Sequence, residues 1–317
     1  MMLARVADSL YWTGRYVERA EHLSRLSAVM LNATLDRTDV AGQAARIALS
    51  AVGDQVGHES LQAVESARGL VLDRSGGGSV VVSLSRAREN ARQVRDQITS
   101  ETWERLNLVY LRTGDGSAEA DFEEDATGFL QAIIADLHLF KGAADATMSH
   151  GEGWRFMMAG VYIERAQLMA RLLKVCFSRG QSPALSDHMA LLSLLRMACA
   201  LEPYLRVYTA DINARFILEF LLFDKEFPRS VGFCTARIEE NLASLSQGRE
   251  TDRDSGRGDP LRLAGRLNAR LSYADVEEVE ATGADALLAA VAAECAAIHQ
   301  AMYETFVAYP LEQRLPA

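Results

Sequence analysis

The sequence has little proline, little cysteine and no long apolar run. Its six prolines leave long stretches uninterrupted, and this favours helices, because proline removes a backbone donor and breaks a helix interior. The four cysteines, at positions 176, 199, 234 and 295, are far apart and form no CxxC pair. We therefore expect buried reduced thiols rather than a zinc site or a disulfide framework.

Two further absences bear on location and partners. No run reaches the 18 or so apolar residues that a membrane span needs, and Arg5 and Asp8 interrupt the start, where a signal peptide would be apolar. The formal net charge of −10 argues against broad binding of nucleic acid, which needs clustered Lys and Arg to neutralise phosphates. We expect a cytoplasmic protein without membrane or nucleic-acid binding, although a local arginine pocket remains compatible with this charge.

Motifs for cofactors and self-sufficient catalysis are also missing. The sequence contains no glycine-rich phosphate loop, dinucleotide fingerprint, GxSxG elbow or HExxH motif. None of its six histidines follows a glutamate by three residues, so the Glu-x-x-His motif of two-metal helical bundles is absent. We therefore expect no metal and no nucleotide on this chain.

The apolar residues recur with helical periodicity along most of the chain, and strand-like alternation is almost absent. We predict an all-α fold, a single domain over 1–317 in which about 8–10 helices form one bundle. A polar segment at about 247–260 lacks apolar periodicity and is predicted to be a mobile loop. The predicted helices cover about 3–33, one or two within 40–72, 83–111 with an interruption at 99–100, 122–147, 154–178, 187–201, 210–223, 230–245 and 285–307.

One seven-residue phrase occurs twice, as GRYVERA from Gly14 and as GVYIERA from Gly160. Each copy is followed, five residues after its alanine, by an arginine, Arg25 or Arg171, and every matching position is offset by 146 residues. The repeat predicts two related halves, roughly 1–146 and 147–317, each built around a helix with an ERA phrase.

A helix brings the glycine, the glutamate and the later arginine of each copy to one face. The glycine leaves a notch one turn before Glu18 or Glu164, where another helix or a ligand could approach the backbone. Adjacent helix residues point about 100° apart, so neither glutamate can readily pair with the arginine that follows it. The partners of both carboxylates must therefore come from elsewhere in the fold.

Two interpretations of these glutamates stay open. In the structural one, the two ERA helices pack side by side and Glu18 or Glu164 pairs with an arginine of the other copy. In the functional one, Glu18 or Glu164 accepts an amine or acts as a general base, while arginines clamp a carboxylate or phosphate. We expect Glu18, in the more polar copy, to face a pocket and Glu164 to be the structural ion. The candidate substrate-binding arginines of the two copies are Arg15, Arg19, Arg25, Arg165 and Arg171.

Two other polar patches could bind an anion. Arg88, Arg92 and Arg95 lie on neighbouring turns of one helix face, with Asn90 between them. A solvated basic stripe explains them equally well. The segment FPRS ending at Ser230 places Arg229 at a predicted helix entrance, where free N–H groups favour anions, although ordinary capping also accounts for it.

Together these blocks resemble the bacterial alpha-E family, an all-helical family named for its glutamate-arginine motif. The resemblance rests on YWxGRYxERAE from Tyr11, ARENARxxR from Ala87, WExxN from Trp103, the second ERA phrase and FPRSV from Phe227. It implies that Glu18, Arg19, Glu164 and Arg165 are the name-giving residues. The second copy departs from the first, with Val161 for Arg15 and Gln167 for Glu21. The matching positions in the other blocks are Arg88, Glu89, Asn90, Arg92, Pro228 and Arg229.

Members of that family are typically encoded beside, or fused to, circularly permuted ATP-grasp proteins. The resemblance therefore implies an accessory partner of an ATP-grasp carboxylate–amine ligase, which supplies a charged pocket for a peptide or amino acid or docks on the ligase. ATP and Mg²⁺ would then belong to the partner. The alternatives are a catalytic domain that uses Glu18 or Glu164 as general base, and a purely structural assembly protein. A homo-oligomer is compatible with each of these hypotheses.

Overall fold

The structure of the chain is a computed structural model. It describes residues 2–36, 38–53, 63–114, 116–178, 188–209, 211–247 and 258–308. In these ranges all regular structure is helical, with fourteen α-helices, one π-helical turn and no strand. The all-α prediction is confirmed, whereas the predicted count of 8–10 helices was too low.

Most of the described residues lie in helices. In chain order they are α1 Ala4–Asp36, α2 Thr38–Val52, α3 Ala63–Leu72, α4 Val80–Gln93, α5 Ser100–Gly114, α6 Ala118–Thr147, α7 Glu152–Phe177, α8 His188–Met197, α9 Leu201–Tyr208, α10 Ala214–Phe223, α11 Val231–Ser246, α12 Pro260–Ser272, α13 Val276–Thr282 and α14 Ala284–Met302, with the π-helical turn Tyr303–Val307 after it.

Caps that the sequence encodes locally set several of these boundaries. Ser230 caps α11 as expected, because its hydroxyl accepts a hydrogen bond from the N–H of Phe233 at 2.9 Å. Ser79 does the same for α4 by accepting from the N–H of Val82, so Val80, Val81 and Val82, which follow the glycines at 76–78, begin a helix. A serine hydroxyl therefore marks the start of each of these two helices.

The extra helices are short ones that the periodicity did not resolve. α9 begins just after α8, because the chain turns sharply at Cys199, whose φ of 56° is left-handed. α12 begins at the end of the predicted loop, where Asp259 caps the helix and Pro260 occupies its first turn. Residues 248–257, the rest of that loop apart from its two ends, lie outside the described residues.

α1 and α7, the helices that carry the ERA phrases, pack against each other, as predicted, and each also packs against several other helices. A Cβ atom on Gly14 would lie 2.1 Å from the carbonyl oxygen of Met157, and one on Gly160 would lie 2.1 Å from that of Tyr11. Met157 and Tyr11 each precede the glycine of their own copy by three residues, so the contact is symmetric. The partner helix, not a ligand, fills each notch. The division into halves 1–146 and 147–317 stays a prediction.

One described segment corrects the expectation that no part of the chain could span a membrane. By length and composition alone, the helical segment Ala284–Val307 is apolar enough to cross one. Core helices of soluble proteins pass the same test, and α14 packs Leu288, Val291, Cys295 and Ile298 into the core beside α7 and α12. Its apolar face thus already has partners within the fold.

Candidate functional site

The two ERA phrases form crossed ion pairs where α1 and α7 meet. Arg165 of α7 donates to both carboxylate oxygens of Glu18, at 2.7 Å from Nε and 2.8 Å from Nη2. In the opposite direction, Arg15 and Arg19 of α1 each donate through Nε to Glu164, both at 2.6 Å. The structural interpretation predicted such a pair for Glu18 or Glu164, and the structure shows it for both glutamates.

A second layer of charge surrounds Glu21, one turn further along α1. Its carboxylate accepts hydrogen bonds from Lys141 and Arg229, and further bonds of 3.1 Å from Arg25 Nη2 and from His138 Nε2. Lys141 and Arg229 also reach Glu18, at 2.5 Å and 3.3 Å. Glu18 and Glu21 thus share two cations and form one continuous network. We call this network, together with the ion pairs of Glu164, the ER cluster.

Burial and charge act in opposite directions on these carboxylates. Glu18 and Glu21 are completely buried and Glu164 is 2% exposed. Burial alone would raise the pKa of all three carboxyl groups, but the neighbouring cations outweigh it and hold each pKa below its usual value. The partner guanidinium of Arg165 has a raised pKa because the charge of Glu18 outweighs its own loss of hydration. All three carboxylates are therefore ionised at neutral pH.

His22 faces the same cluster, and its surroundings favour the neutral form of the side chain. It is 2% exposed, and its pKa is lowered to about 4, first by burial and then by the charge of Arg229. The negative charges of Glu18, Glu21 and Glu164 only partly offset that effect. His22 is therefore neutral at physiological pH.

This geometry limits what the two motif glutamates can do chemically. A general base works best when its pKa lies near the working pH, and a carboxylate held by ion pairs with a depressed pKa is a weak base. The expectation that Glu18 faces a pocket was wrong, since Glu18 is fully buried and paired with Arg165, whereas Glu164 is a buried, ion-paired carboxylate as expected. The extra polar residues of the first copy turn inward and add ion pairs rather than open a pocket.

The later arginines of the two copies have different environments. Arg25 joins the cluster through Glu21 one turn before it, whereas Arg171 is exposed and makes no ion pair with the cluster carboxylates among the described residues. The second copy has Gln167 where the first has Glu21, so it lacks the charge that would draw its arginine inward. Arg171 is therefore not part of the site.

The arginines of α4 form a separate surface. The guanidinium of Arg88 lies 4.9 Å from the ring centroid of Tyr110 and 5.5 Å from that of Trp103, and its Nε donates to Asn107 at 3.3 Å. Arg95 also packs on Trp103, at 5.6 Å. The blocks ARENARxxR and WExxN thus come together through cation–π contacts.

The other polar residues of this patch have local partners. Arg92 makes a two-point ion pair with Glu89, at 3.0 Å and 2.7 Å, on the exposed face of α4. Asn90 donates to the backbone oxygen of Arg86 on the same helix. Neither Arg92 nor Asn90 contacts the ER cluster in the described part of the chain.

The sequence analysis missed the contribution of α6, which supplies His138 and Lys141. Both lie partly exposed beside the buried Leu137 and Phe140. A polar pair three residues apart beside a buried apolar stripe was a detectable signal. Lys141 is also one of only three lysines in the sequence. Without knowledge of which helices are neighbours, however, neither residue could be assigned to Glu21.

Metal and thiol chemistry find little support in the described ranges. No group of three or more His, Cys, Asp or Glu side chains there could hold a metal ion. No disulfide joins the four cysteines, all of which lie in the described ranges, and burial raises the pKa of Cys176, Cys234 and Cys295 to about 12. These three thiols are therefore protonated and unreactive at neutral pH.

Comparison with known proteins agrees with the motifs. The model of the family Alpha-E, described as "a predicted alpha-helical domain with a conserved ER motif", matches residues 2–307. Uncharacterized proteins of Mycobacterium bovis and of two Mycobacterium tuberculosis strains are 28% identical to the chain over 325 aligned residues, which cover 94% of this chain and 35% of theirs. The chain thus spans about a third of the length of these relatives. No solved structure matches it significantly.

Proposed function

The chain belongs to the Alpha-E family, and we propose that it is a helical accessory component of an ATP-grasp carboxylate–amine ligase system. In this proposal the ligase binds ATP and Mg²⁺ and forms the amide bond. The Alpha-E chain docks on the ligase and holds an anionic group of the peptide or amino-acid substrate. The resemblance to a family that accompanies ATP-grasp proteins supports this assignment.

The observation that carries the proposal is that the carboxylates of the ER cluster are buried and paired with cations. Both motif glutamates are buried, ionised and engaged by arginines of the opposite helix. A carboxylate in this state organises cations well and abstracts protons poorly. An accessory role therefore fits the geometry better than a catalytic domain that uses Glu18 or Glu164 as general base.

Two further features, one of the sequence and one of its relatives, agree with an accessory role. The chain has no glycine-rich phosphate cradle of its own, so a nucleotide would have to bind elsewhere. Its relatives are about three times as long as the segment they share with it, which fits a domain that works beside further sequence.

The test is reconstitution with the ATP-grasp protein encoded beside this chain. The two purified proteins are mixed with Mg-ATP and a panel of amino acids and short peptides, while ADP release and product mass are followed. We expect product only when both proteins are present and no ADP from the Alpha-E chain alone. Equal product from the ligase alone, with no complex on gel filtration, contradicts the proposal. Product from the Alpha-E chain alone supports the catalytic alternative.

The same burial and pairing also favour a second candidate, a purely structural assembly protein. A fully paired ion network can serve only to specify how α1 and α7 pack. The reconstitution separates the two candidates. An assembly protein forms the complex with the ligase but leaves its rate and its choice of substrate unchanged.

A further inference from the structure

The ER cluster contains more positive than negative charge. Three buried carboxylates, Glu18, Glu21 and Glu164, face six cationic side chains within ion-pairing distance. The cations therefore exceed the carboxylates by three, although the chain as a whole carries a net charge of −10. The six cationic residues are Arg15, Arg19, Arg25, Lys141, Arg165 and Arg229.

Most of this surplus lies around Glu18 and Glu21. Together these two carboxylates pair with four cations, so two positive charges there lack a counter-charge within the pairs. Positive charge in a poorly hydrated place is unfavourable unless an anion balances it.

The cations of this group differ in their access to solvent. The side chains of Arg165 and Arg229 are only 10% exposed, whereas those of Arg25, Lys141 and His138 are 16%, 23% and 55% exposed. All three accessible groups bond the carboxylate of Glu21, so they lie close together. Glu21 thus gathers three donors at one edge of the cluster.

These donors keep capacity for another acceptor. Arg25 bonds Glu21 through Nη2, and its buried Nε has no hydrogen-bond partner within the part of the chain that the structure describes. The ammonium of Lys141 has three N–H groups and uses two of them on Glu18 and Glu21. His138 differs, because a neutral imidazole has one N–H group and its Nε2 already bonds Glu21. An oxyanion at this edge could therefore accept bonds from Arg25 and Lys141.

We propose that Arg25 and Lys141, beside His138, form a binding site for a phosphate-type dianion at the solvent edge of Glu21. A phosphate group carries about −1.5 to −2 charges at neutral pH, which matches the local surplus of two. The source is either free inorganic phosphate or the phosphate group of a larger molecule such as an acyl phosphate. Only the acyl-phosphate source rests on the proposed function, because ATP-dependent amide formation can pass through such an intermediate.

The experiment is calorimetric titration of the isolated chain at low ionic strength with inorganic phosphate, acetyl phosphate and acetate. We expect saturable binding of one or both phosphate compounds and none of acetate, which has a single charge. Arg25→Gln and Lys141→Met should weaken the binding roughly tenfold or more, the loss expected for a hydrogen bond to a charged group.

Arg171→Gln is the matched control, because Arg171 occupies the position of Arg25 in the second copy but is exposed and outside the cluster. It should bind phosphate like the unmodified chain. Melting curves verify that each variant is folded. If Lys141→Met does not fold, Lys141→Gln replaces it, because an amide keeps a polar group facing Glu18 and Glu21.

The results separate the sources and can overturn the site. Tighter binding of acetyl phosphate than of phosphate identifies the acyl-phosphate source, and the reverse identifies free phosphate. The proposal is wrong if neither compound binds the folded chain, or if Arg25→Gln and Arg171→Gln bind it equally. Because the titration needs no ligase, its failure is distinguishable from a failure of the reconstitution.

Discussion

Replacing Glu18 by glutamine tests whether the ER cluster holds the fold together. The substitution keeps the shape of the side chain and removes its charge. Glu18 is the only carboxylate that pairs with Arg165 among the described residues, whereas Lys141 and Arg229 also pair with Glu21. The variant therefore leaves Arg165 buried without a counter-charge.

The size of the effect follows from the burial of both partners. Glu18 is fully buried and the side chain of Arg165 is 10% exposed, so water can replace little of the lost interaction. Breaking a buried pair on one side costs about 3–5 kcal/mol. Arg165 also donates to the backbone oxygen of Pro228 at 3.0 Å, which keeps one of its hydrogen bonds but not the charge compensation. We expect a loss within that range.

Urea unfolding followed by circular dichroism measures the free energy of unfolding of both proteins. Glu89→Gln is the matched control, because Glu89 also pairs with an arginine but on the exposed face of α4. It should leave the free energy of unfolding nearly unchanged. If Glu18→Gln is as stable as this control, Glu18 is not a structural ion, and the closed network does not stabilise the contact between α1 and α7.

Three further predictions concern packing and pH. Gly14→Ala should destabilise the protein by roughly 1–3 kcal/mol or more, since its Cβ would lie 2.1 Å from a carbonyl oxygen of α7. Gly142→Ala, in open space on α6, should instead stabilise the protein by about 0.5–1 kcal/mol, and urea unfolding compares the two variants. As the pH falls from 6.5 toward 4, only unfolded chains take up a proton at His22, so the free energy of unfolding should drop by up to about 1.4 kcal/mol per pH unit. His22→Gln should remove this contribution from the slope of the free energy of unfolding against pH. The pKa values of Glu18, Glu21 and Glu164 are lowered in the fold, so their ionised carboxylates stabilise it above pH 4.5, and this contribution should be lost as the pH falls below that value. Acid unfolding curves measure the loss, and an acid midpoint that Glu164→Gln leaves unchanged would contradict this prediction.

The parts of the fold that the sequence predicted are those with local causes. Helical periodicity identified the long helices, and the hydroxyl of Ser230 marked the start of α11. The common offset of 146 residues indicated that the two ERA helices are counterparts, and the glycines indicated a close approach. Short helices such as α9 and α13 were missed because one or two turns carry too little periodicity.

The errors in the site have a different origin. Arg25 and Arg171 have equivalent positions in the repeat, yet only Arg25 has a carboxylate one turn before it on the same helix. Glu18 was expected in a pocket because its neighbours are polar, but in the fold those neighbours pair with residues of other helices and bury it. Local polarity does not reveal burial when the partners of a charge are distant in the chain.

By itself, the sequence determined an all-helical chain, two ERA helices that need partners beyond their own neighbours, and membership of the Alpha-E family. Only the tertiary structure decided that the glutamates and arginines cross between α1 and α7, and that Lys141 of α6 joins them from 123 residues beyond Glu18. The physical reason is that helix formation depends on side chains within a few turns, whereas the burial and pairing of a charge depend on which helices become neighbours.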